Sequence, residues 1–346
     1  MVVSSTMRVS AIIRSTCLLF LAPPSRGFIM NMITPPPSPG WRTLPFVMRM
    51  LCNGYNGGSM DDRSSVIKTP TSEILDILFP PSSGSGAMTV PDDDNLLSYV
   101  APDFGQRVEA GREAQGYTPT TDAEAARTLV PSRELTYGEY DLGFFSSLVQ
   151  ECLSIRAGGG MSNPGALEAE ARKLCFGDIG SGCGRLVVAQ ALTWPWRSCR
   201  GVEKVKSLHH MGEAALAAAG RMAQGESRVR SVGGDILSPD ASRLLIKMAP
   251  CALLLGDINE PEVDVADMDI LFCYSSSFPA FGDLLTEFSY TLGHKLRPGT
   301  QVITTDRRLV SDGPWKFALL GEREGPNPET GGKSTAYLWE VVKSAL

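Results

Sequence analysis

The chain has 346 residues, enough for one large domain or two modest ones, and its 43% hydrophobic residues suffice for a substantial core. The net charge of −6 is unevenly distributed, since residues 1–60 hold five arginines and no acid, while the rest holds 27 basic against 38 acidic residues. An acidic domain gives no strong signal for nucleic-acid binding, which needs stripes of Lys and Arg. It is compatible with a basic protein segment or a small molecule as partner.

The cysteines and histidines indicate the redox environment of the protein and whether it has a metal site. The eight cysteines are scattered without a C-x-x-C pair, and there are three histidines. This pattern predicts an intracellular, reducing environment and no metal site. No apolar run approaches the ~20 residues of a membrane-spanning helix, so no membrane partner is expected. The sequence leaves the oligomeric state open.

The composition divides the chain into three regions. Residues 1–60 form a basic, acid-free leader, which is typical of an organellar targeting segment, with a disordered leader without an address as the alternative. Residues 61–130 predict a linker with short helices at 72–78 and 123–129. A folded domain is predicted over residues 131–346.

The start of this domain carries a glycine-rich loop between a strand and a helix. Apolar residues at helical spacing predict a helix over 142–155, and an apolar strand then runs into D-I-G-S-G-C-G-R at residues 178–185. Glycines there leave no Cβ where the backbone approaches a ligand, and they tolerate positive φ. The alternative is a glycine-rich turn without a ligand.

The spacing of the loop indicates which nucleoside it suits. A dinucleotide site needs G-x-G-x-x-G, but Arg185 stands where the third glycine would be. Asp178 at the mouth of the loop repels a pyrophosphate and suits an ammonium group. S-adenosylmethionine carries an ammonium and a ribose and has no phosphate. The sequence therefore predicts a site for this cofactor, lined by Asp178, Gly180, Gly182 and Gly184.

The remaining elements alternate between strands and helices. The next strand ends in Glu203, where an acid can hold ribose hydroxyls. The apolar run 252–256 is typical of a strand buried on both faces. The other expected elements are helices over 204–219 and 280–296, strands over 269–274 and 301–305, and a closing pair over 315–320 and 336–342. This order predicts an α/β fold with a doubly wound, mostly parallel, seven-stranded Rossmann-like sheet.

Polar residues at the carboxyl ends of the later strands complete the predicted site. Asp235 and Asp257 each follow a glycine and compete for the adenine amino group; Asp257 is favoured because 252–255 is the better buried strand. Tyr274 and Ser275, at the end of the fourth strand, are predicted to orient the methyl acceptor. For the serines at 275–277 a helix N-cap is the alternative interpretation.

Taken together, these motifs resemble the disruptor-of-telomeric-silencing family, the non-SET lysine methyltransferases of the histone core. The resemblance covers roughly residues 131–346 and rests on Y-G-E at 137–139, the glycine loop, G-V-E at 201–203, a Gly-Asp pair and an aromatic-rich strand end. It implies a class I S-adenosylmethionine-dependent methyltransferase of protein lysine, located in the nucleus if its substrate is a histone. It also implies that Tyr137 and Glu139 lie in a loop that closes over the cofactor.

Two departures from the family pattern keep the acceptor open. Arg185 stands where the family has Gln, and Tyr274-Ser275-Ser276 stands where it has Asn-Asn-Phe. The alternatives are a methyltransferase for a small molecule or another protein group, and a cofactor-binding scaffold without turnover. An NAD-dependent oxidoreductase is disfavoured by the loop spacing. Methyl transfer needs an aligned nucleophile and exclusion of water, and no general base stands out in the sequence.

Overall fold

A computed structural model of the chain describes residues 69–81, 101–114, 137–159, 163–225 and 237–346. The basic leader predicted over 1–60, the short helix expected over 123–129 and Asp235 lie outside the described residues. Everything described belongs to one compact unit, Thr43–Leu346.

Strands in the described residues form a seven-stranded sheet. They are β1 (Cys175–Ile179), β2 (Ser198–Glu203), β3 (Cys251–Leu255), β4 (Ile270–Cys273), β5 (Gln301–Thr305), β6 (Lys316–Asn327) and β7 (Gly332–Lys343). The order across the sheet is β3-β2-β1-β4-β5-β7-β6. Strands β1 to β5 run parallel, whereas β7 pairs antiparallel with both β5 and β6. The predicted α/β fold with a mostly parallel, seven-stranded sheet is confirmed.

Helices connect these strands and precede them in the chain. They are α1 (Pro70–Leu78), α2 (Phe104–Ala114), α3 (Leu142–Arg156), α4 (Pro164–Ala171), α5 (Arg185–Thr193), α6 (Lys206–Ala223), α7 (Pro239–Ile246) and α8 (Thr286–Lys295). The N-cap of helix α3 is Asp141, whose carboxylate accepts the Phe144 N–H at 2.7 Å and so satisfies a backbone donor of the first turn. In the part of the chain described here, no helix is both long and apolar enough to cross a membrane.

Apolar clusters cover both faces of the sheet. Successive residues of a strand face opposite sides, so Phe272 joins the cluster under α3 and its neighbour Leu271 joins the cluster under α8. In the first cluster the rings of Phe145 and Phe272 lie 4.8 Å apart, edge to face. With helices packed on both faces, the sheet is doubly wound. The loops at the carboxyl ends of its parallel strands lie outside the core, where a ligand can reach them.

Helix α1, expected at 72–78, packs against the domain. Its apolar residues Ile74, Leu75 and Leu78 are almost wholly buried in a third cluster with Val188 of α5 and Ala215 of α6. Burial of such side chains stabilises by about 1.5–3 kcal/mol each. Part of the stretch predicted as a linker therefore contributes to the packed unit.

Strand β3 differs from the prediction. It is an edge strand of the sheet, and Leu254 and Leu255 are 42% and 40% exposed, not buried on both faces. A continuous apolar run does not distinguish a central strand from an edge strand, because burial also depends on which other elements pack against it.

Helix α8 also begins later than expected. The helix predicted from residue 280 starts at Thr286, because a tight turn occupies the preceding residues. In that turn the backbones of Phe281 and Leu284 donate hydrogen bonds to each other at 2.9 and 3.1 Å. Gly282 between them has φ 63°, a conformation that few other residues adopt.

Candidate functional site

A cavity of about 240 Å³ lies at the carboxyl ends of β1, β2 and β4, the edge of the sheet where the sequence predicts the site. The predicted site residues on its wall are Tyr137, Glu139, Asp178, Gly180, Gly182, Glu203, Asp257 and Tyr274. Gly184 and Ser275 are not on the wall. Gly184 is instead the N-cap of α5, with φ 79°.

The glycine loop is bound to β2 and covered by an aromatic ring. The N–H groups of Gly180 and Ser181 donate to the carbonyl of Val202 at 2.8 and 3.0 Å. Gly182 has φ 55°, and a Cβ at this position would lie 2.7 Å from the ring of Tyr137. A side chain at position 182 would therefore clash with the Tyr137 ring.

Glu203 is fixed at the end of β2 by two backbone donors. Its carboxylate accepts the Gly182 N–H at 2.6 Å and the Val205 N–H at 2.7 Å, and the residue is only 6% exposed. Burial raises the pKa of Glu203 although these N–H groups lower it. Each oxygen keeps an acceptor site beyond its backbone bond, so the carboxylate can hold a pair of hydroxyl groups.

Asp178 lies beside Glu203 on the same cavity and is 3% exposed. Burial, and then the neighbouring Glu203 carboxylate, raise the pKa of Asp178 to about 8. A cation bound between these carboxylates would lower both pKa values, because an opposite charge stabilises the ionised form. The two residues therefore suit the ammonium and the ribose of S-adenosylmethionine and do not suit a pyrophosphate.

Asp257 lies at the other end of the cavity. Burial raises its pKa, but hydrogen bonds from the Lys204 ammonium at 2.7 Å and the Asn259 N–H at 2.9 Å outweigh that effect and hold the pKa of Asp257 below its usual value. Two apolar residues, Val205 and Ile258, line the same end. An ionised acceptor beside apolar walls fits a nucleobase with an exocyclic amino group.

Aromatic residues surround the end of β4. The ring of Tyr274 lies 5.1 Å from the ring of Tyr140, and the Tyr274 hydroxyl donates to the Glu329 carboxylate at 3.3 Å. Burial raises the pKa of Tyr274 to about 12 and also raises the pKa of Glu329. Phe278 closes this end, with its ring 3.4 Å from where a Cβ of Gly180 would lie.

Ser275 faces away from the cavity. It belongs to a short 3₁₀ helix, Ser275–Ser277, and its hydroxyl donates to the Thr305 carbonyl at 2.7 Å and accepts the Thr305 N–H at 2.9 Å. The residue is fully buried, so these bonds join the end of β4 to β5. The role predicted for Ser275 in orienting the acceptor stays a prediction.

Residues that the sequence did not single out also line or support the cavity. Tyr140 and Phe278 could have been considered from their positions beside Glu139 and Ser277, whereas Glu329 lies in the turn between β6 and β7 and carries no local signal. Within the described ranges, no group of three or more His, Cys, Asp or Glu side chains is arranged to hold a metal ion.

Comparison with known proteins gives similarity in fold alone. No family model and no curated protein sequence matches the chain. Among solved structures, it is similar to the tRNA methyltransferase TrmK of B. subtilis (11% identity, 51% of this chain and 62% of that one, TM-score 0.32). TrmN from Thermus thermophilus (15%, 61% and 52%, 0.34) and a phosphoethanolamine N-methyltransferase of Haemonchus contortus (13%, 50% and 40%, 0.32) are also similar.

The chain spans less than two thirds of the length of each of these three proteins. At such identities and TM-scores, none of their activities is transferred to it. The fold and the cavity define an α/β, Rossmann-like domain with a candidate nucleoside site at the carboxyl ends of its strands.

Proposed function

We propose that this protein is an S-adenosylmethionine-dependent methyltransferase. The observation that carries the proposal is the pair of buried carboxylates, Asp178 and Glu203, on one cavity beside a glycine loop. In this proposal Asp178 holds the ammonium, Glu203 the ribose and Asp257 the adenine amino group. Gly180 and Gly182 allow the methionine end of the cofactor to approach the loop.

When bound, the cofactor supplies a methyl group on a positively charged sulfur. The protein contributes alignment of the acceptor and exclusion of water. The Tyr137 ring covers the glycine loop at Gly182, Glu139 lines the cavity beside it, and the rings of Tyr140, Tyr274 and Phe278 line the end of the cavity beside β4. These rings form an apolar surface against which an acceptor can be held.

We further infer that the acceptor is an amine, with the side chain of a protein lysine as the first choice. The support is the Glu329 carboxylate, which lies within hydrogen-bond reach of Tyr274 at the aromatic end of the cavity. A carboxylate beside aromatic rings attracts an ammonium group and can take up a proton as the amine becomes the nucleophile. The acidic composition after residue 60 favours a basic protein segment, such as a histone tail or core, as the carrier of this lysine.

The compartment follows from the acceptor. The scattered cysteines, without a C-x-x-C pair, favour a reducing, intracellular environment. A histone substrate requires a nuclear location. An organellar address in residues 1–60 would exclude that substrate and favour another protein or a small amine.

Calorimetry with S-adenosylmethionine on the full chain tests the cofactor proposal. We expect micromolar binding by the wild type and binding about 10- to 100-fold weaker for Glu203→Gln, because the amide cannot accept from both backbone N–H groups and carries no charge. Glu168→Gln, on the exposed side of α4, is the matched control and keeps wild-type affinity. A folded wild type without binding, or binding equal in Glu203→Gln, would contradict the proposal.

Glu329→Gln tests the acceptor. We expect the KM for a lysine-containing protein to rise about tenfold, because the charge that attracts the ammonium is lost. The change in cofactor Kd is expected to be smaller. Glu324→Gln in the same hairpin, paired with Lys333 at 2.8 Å, serves as the control.

The assay follows transfer of a labelled methyl group to core histones and to free lysine. A KM that is equal in Glu329→Gln and wild type would contradict the amine proposal. Cofactor binding without transfer to any amine, protein or small molecule would indicate a scaffold without turnover.

A further inference from the structure

Arg107 on α2 is fully buried, with none of its surface exposed. A buried guanidinium group is unfavourable unless its donors are paired and its charge is compensated. Four groups from three separate stretches of the chain do this. Arg107 donates to the Tyr137 hydroxyl at 3.1 Å, the Glu139 carboxylate at 2.5 Å, the Pro80 carbonyl at 3.2 Å and the Pro102 carbonyl at 2.5 Å.

Two of these partners, Tyr137 and Glu139, line the cavity. The Tyr137 hydroxyl donates to the Glu139 carboxylate at 3.0 Å and lies 3.1 Å from the Cys183 sulfur in the glycine loop. Because the Tyr137 ring lies directly over Gly182, its position determines how closely the loop is covered. Arg107 thus contacts both polar side chains, Tyr137 and Glu139, that lie between it and the cavity.

The other two partners of Arg107 belong to the segments that flank helices α1 and α2. The Pro80 carbonyl follows α1 and the Pro102 carbonyl precedes α2, so one side chain joins both helices to the cavity. On its far side the Glu139 carboxylate lies 3.5 Å from the Arg185 guanidinium. Glu139 is therefore held between two arginines from different parts of the fold.

The electrostatic balance agrees with a fixed, charged Arg107. Burial by itself lowers the pKa of Arg107, but the nearby Tyr137 and Glu139 outweigh it, and the pKa lies above its usual value. Burial also raises the pKa of the Tyr137 hydroxyl, which therefore keeps its proton and can donate to Glu139. Arg107 therefore keeps its charge, and the neutral Tyr137 hydroxyl accepts from Arg107 and donates to Glu139.

We propose that Arg107 is a positioning residue for the cofactor site. It holds Tyr137 and Glu139 over the glycine loop, and through it residues 69–81 and 101–114 form part of the cofactor-binding unit. The inference rests on the proposed function, since it assigns Arg107 to the affinity for S-adenosylmethionine. Arg107 acts through Tyr137 and Glu139 and is not on the wall of the cavity itself.

The test compares Arg107→Lys, Tyr137→Phe and the double variant in the full chain, with Arg112→Lys as control. Arg112 is on the same helix with 57% of its side chain exposed. For Arg107→Lys we expect the Kd for S-adenosylmethionine to rise about tenfold, mainly through faster dissociation, because the planar fork that holds two partners is lost. The double variant should bind no more weakly than Tyr137→Phe alone, since both changes break one network.

Several outcomes would overturn the inference. One is an Arg107→Lys protein that melts at a lower temperature but, when folded, releases the cofactor at the wild-type rate. Another is a double variant whose loss of binding free energy equals the sum of the losses in the two single variants. If Arg107→Lys does not fold, Tyr137→Phe decides, because it cuts the bond to Arg107 without removing a charge, and an unchanged Kd would again overturn the inference.

A separate readout distinguishes failure of the inference from failure of the proposed function. If the wild type does not bind S-adenosylmethionine, amide hydrogen exchange over residues 137–140 still reports the positioning of the loop. Faster exchange in Arg107→Lys than in Arg112→Lys would support the role of Arg107 while the proposed function fails. Equal exchange in the two variants would overturn the role of Arg107 as well.

Discussion

Asp178→Asn is expected to produce a protein that is more stable than the wild type at pH 8 and no longer binds S-adenosylmethionine. The carboxylate is 3% exposed and lies beside Glu203, so its ionised form is unfavourable until a cation binds. The neutral amide removes this repulsion, and we expect the free energy of unfolding to rise by about 1–3 kcal/mol. Losing a buried charge partner for the ammonium should weaken binding by at least about 100-fold.

The same substitution should change how stability depends on pH. The pKa of Asp178 is raised to about 8 in the folded protein, well above that of an unfolded aspartate. The folded state therefore binds the extra proton between about pH 4 and pH 8, and the contribution of Asp178 to stability falls as the pH rises through this range. The stability difference between Asp178→Asn and wild type should be small near pH 4 and largest at pH 8 and above.

Chemical denaturation across this pH range, with calorimetry of cofactor binding, checks the prediction. Asp257→Asn is the matched contrast, because the Lys204 ammonium holds the pKa of Asp257 below its usual value and its loss should give no gain in stability. Wild-type affinity should rise with pH toward about 8, as Asp178 becomes ionised. An Asp178→Asn variant that is no more stable than wild type at pH 8, or that binds the cofactor normally, would contradict the assignment.

The part of the site made by local sequence could be predicted well. The strand that ends at Asp178, the glycine loop and the following helix are contiguous in the chain, and β2 with Glu203 comes one βα unit later. Parallel strands bring their carboxyl ends together, so the placement of Asp178 and Glu203 on one edge follows from topology alone.

The residues that support the cavity from a distance could not be predicted. Arg107 precedes Tyr137 by 30 residues and Glu329 follows Tyr274 by 55, and neither belongs to a motif. Only the packing of α2 and of the β6–β7 hairpin brings them into contact with Tyr137 and Tyr274, which line the cavity. The bonds between the Ser275 hydroxyl and Thr305 could not be predicted either, because they depend on the pairing of β4 with β5; the role of Ser275 in orienting the acceptor stays a prediction.

The edge strand β3 shows a similar limit. Its apolar sequence predicted a strand buried on both faces, but Leu254 and Leu255 are substantially exposed. The preference for Asp257 over Asp235 depends partly on that expected burial. In the structure, Asp257 lies on the cavity wall and is bonded to Lys204, and its contact with adenine stays a proposal.

Gly182→Ala is expected to be the most damaging single-methyl change in the glycine loop. The residue has φ 55°, where a side chain costs about 1–2 kcal/mol. The added Cβ would also lie 2.7 Å from the Tyr137 ring, which cannot retreat easily because its hydroxyl is bound to Arg107 and Glu139. We expect a loss in the free energy of unfolding of about 2–4 kcal/mol in total.

Cofactor affinity should fall in the same variant, because the Gly182 N–H that fixes Glu203 must shift. Gly299→Ala separates the two causes: Gly299 has φ 87° and no atom within 4 Å of where its Cβ would lie, so only the backbone term of about 1–2 kcal/mol remains. Its cofactor affinity should equal that of wild type. Thermal denaturation measures the stability of both variants, and calorimetry measures their affinity for the cofactor. If Gly182→Ala loses no more stability than Gly299→Ala and keeps wild-type affinity, Tyr137 does not confine the loop.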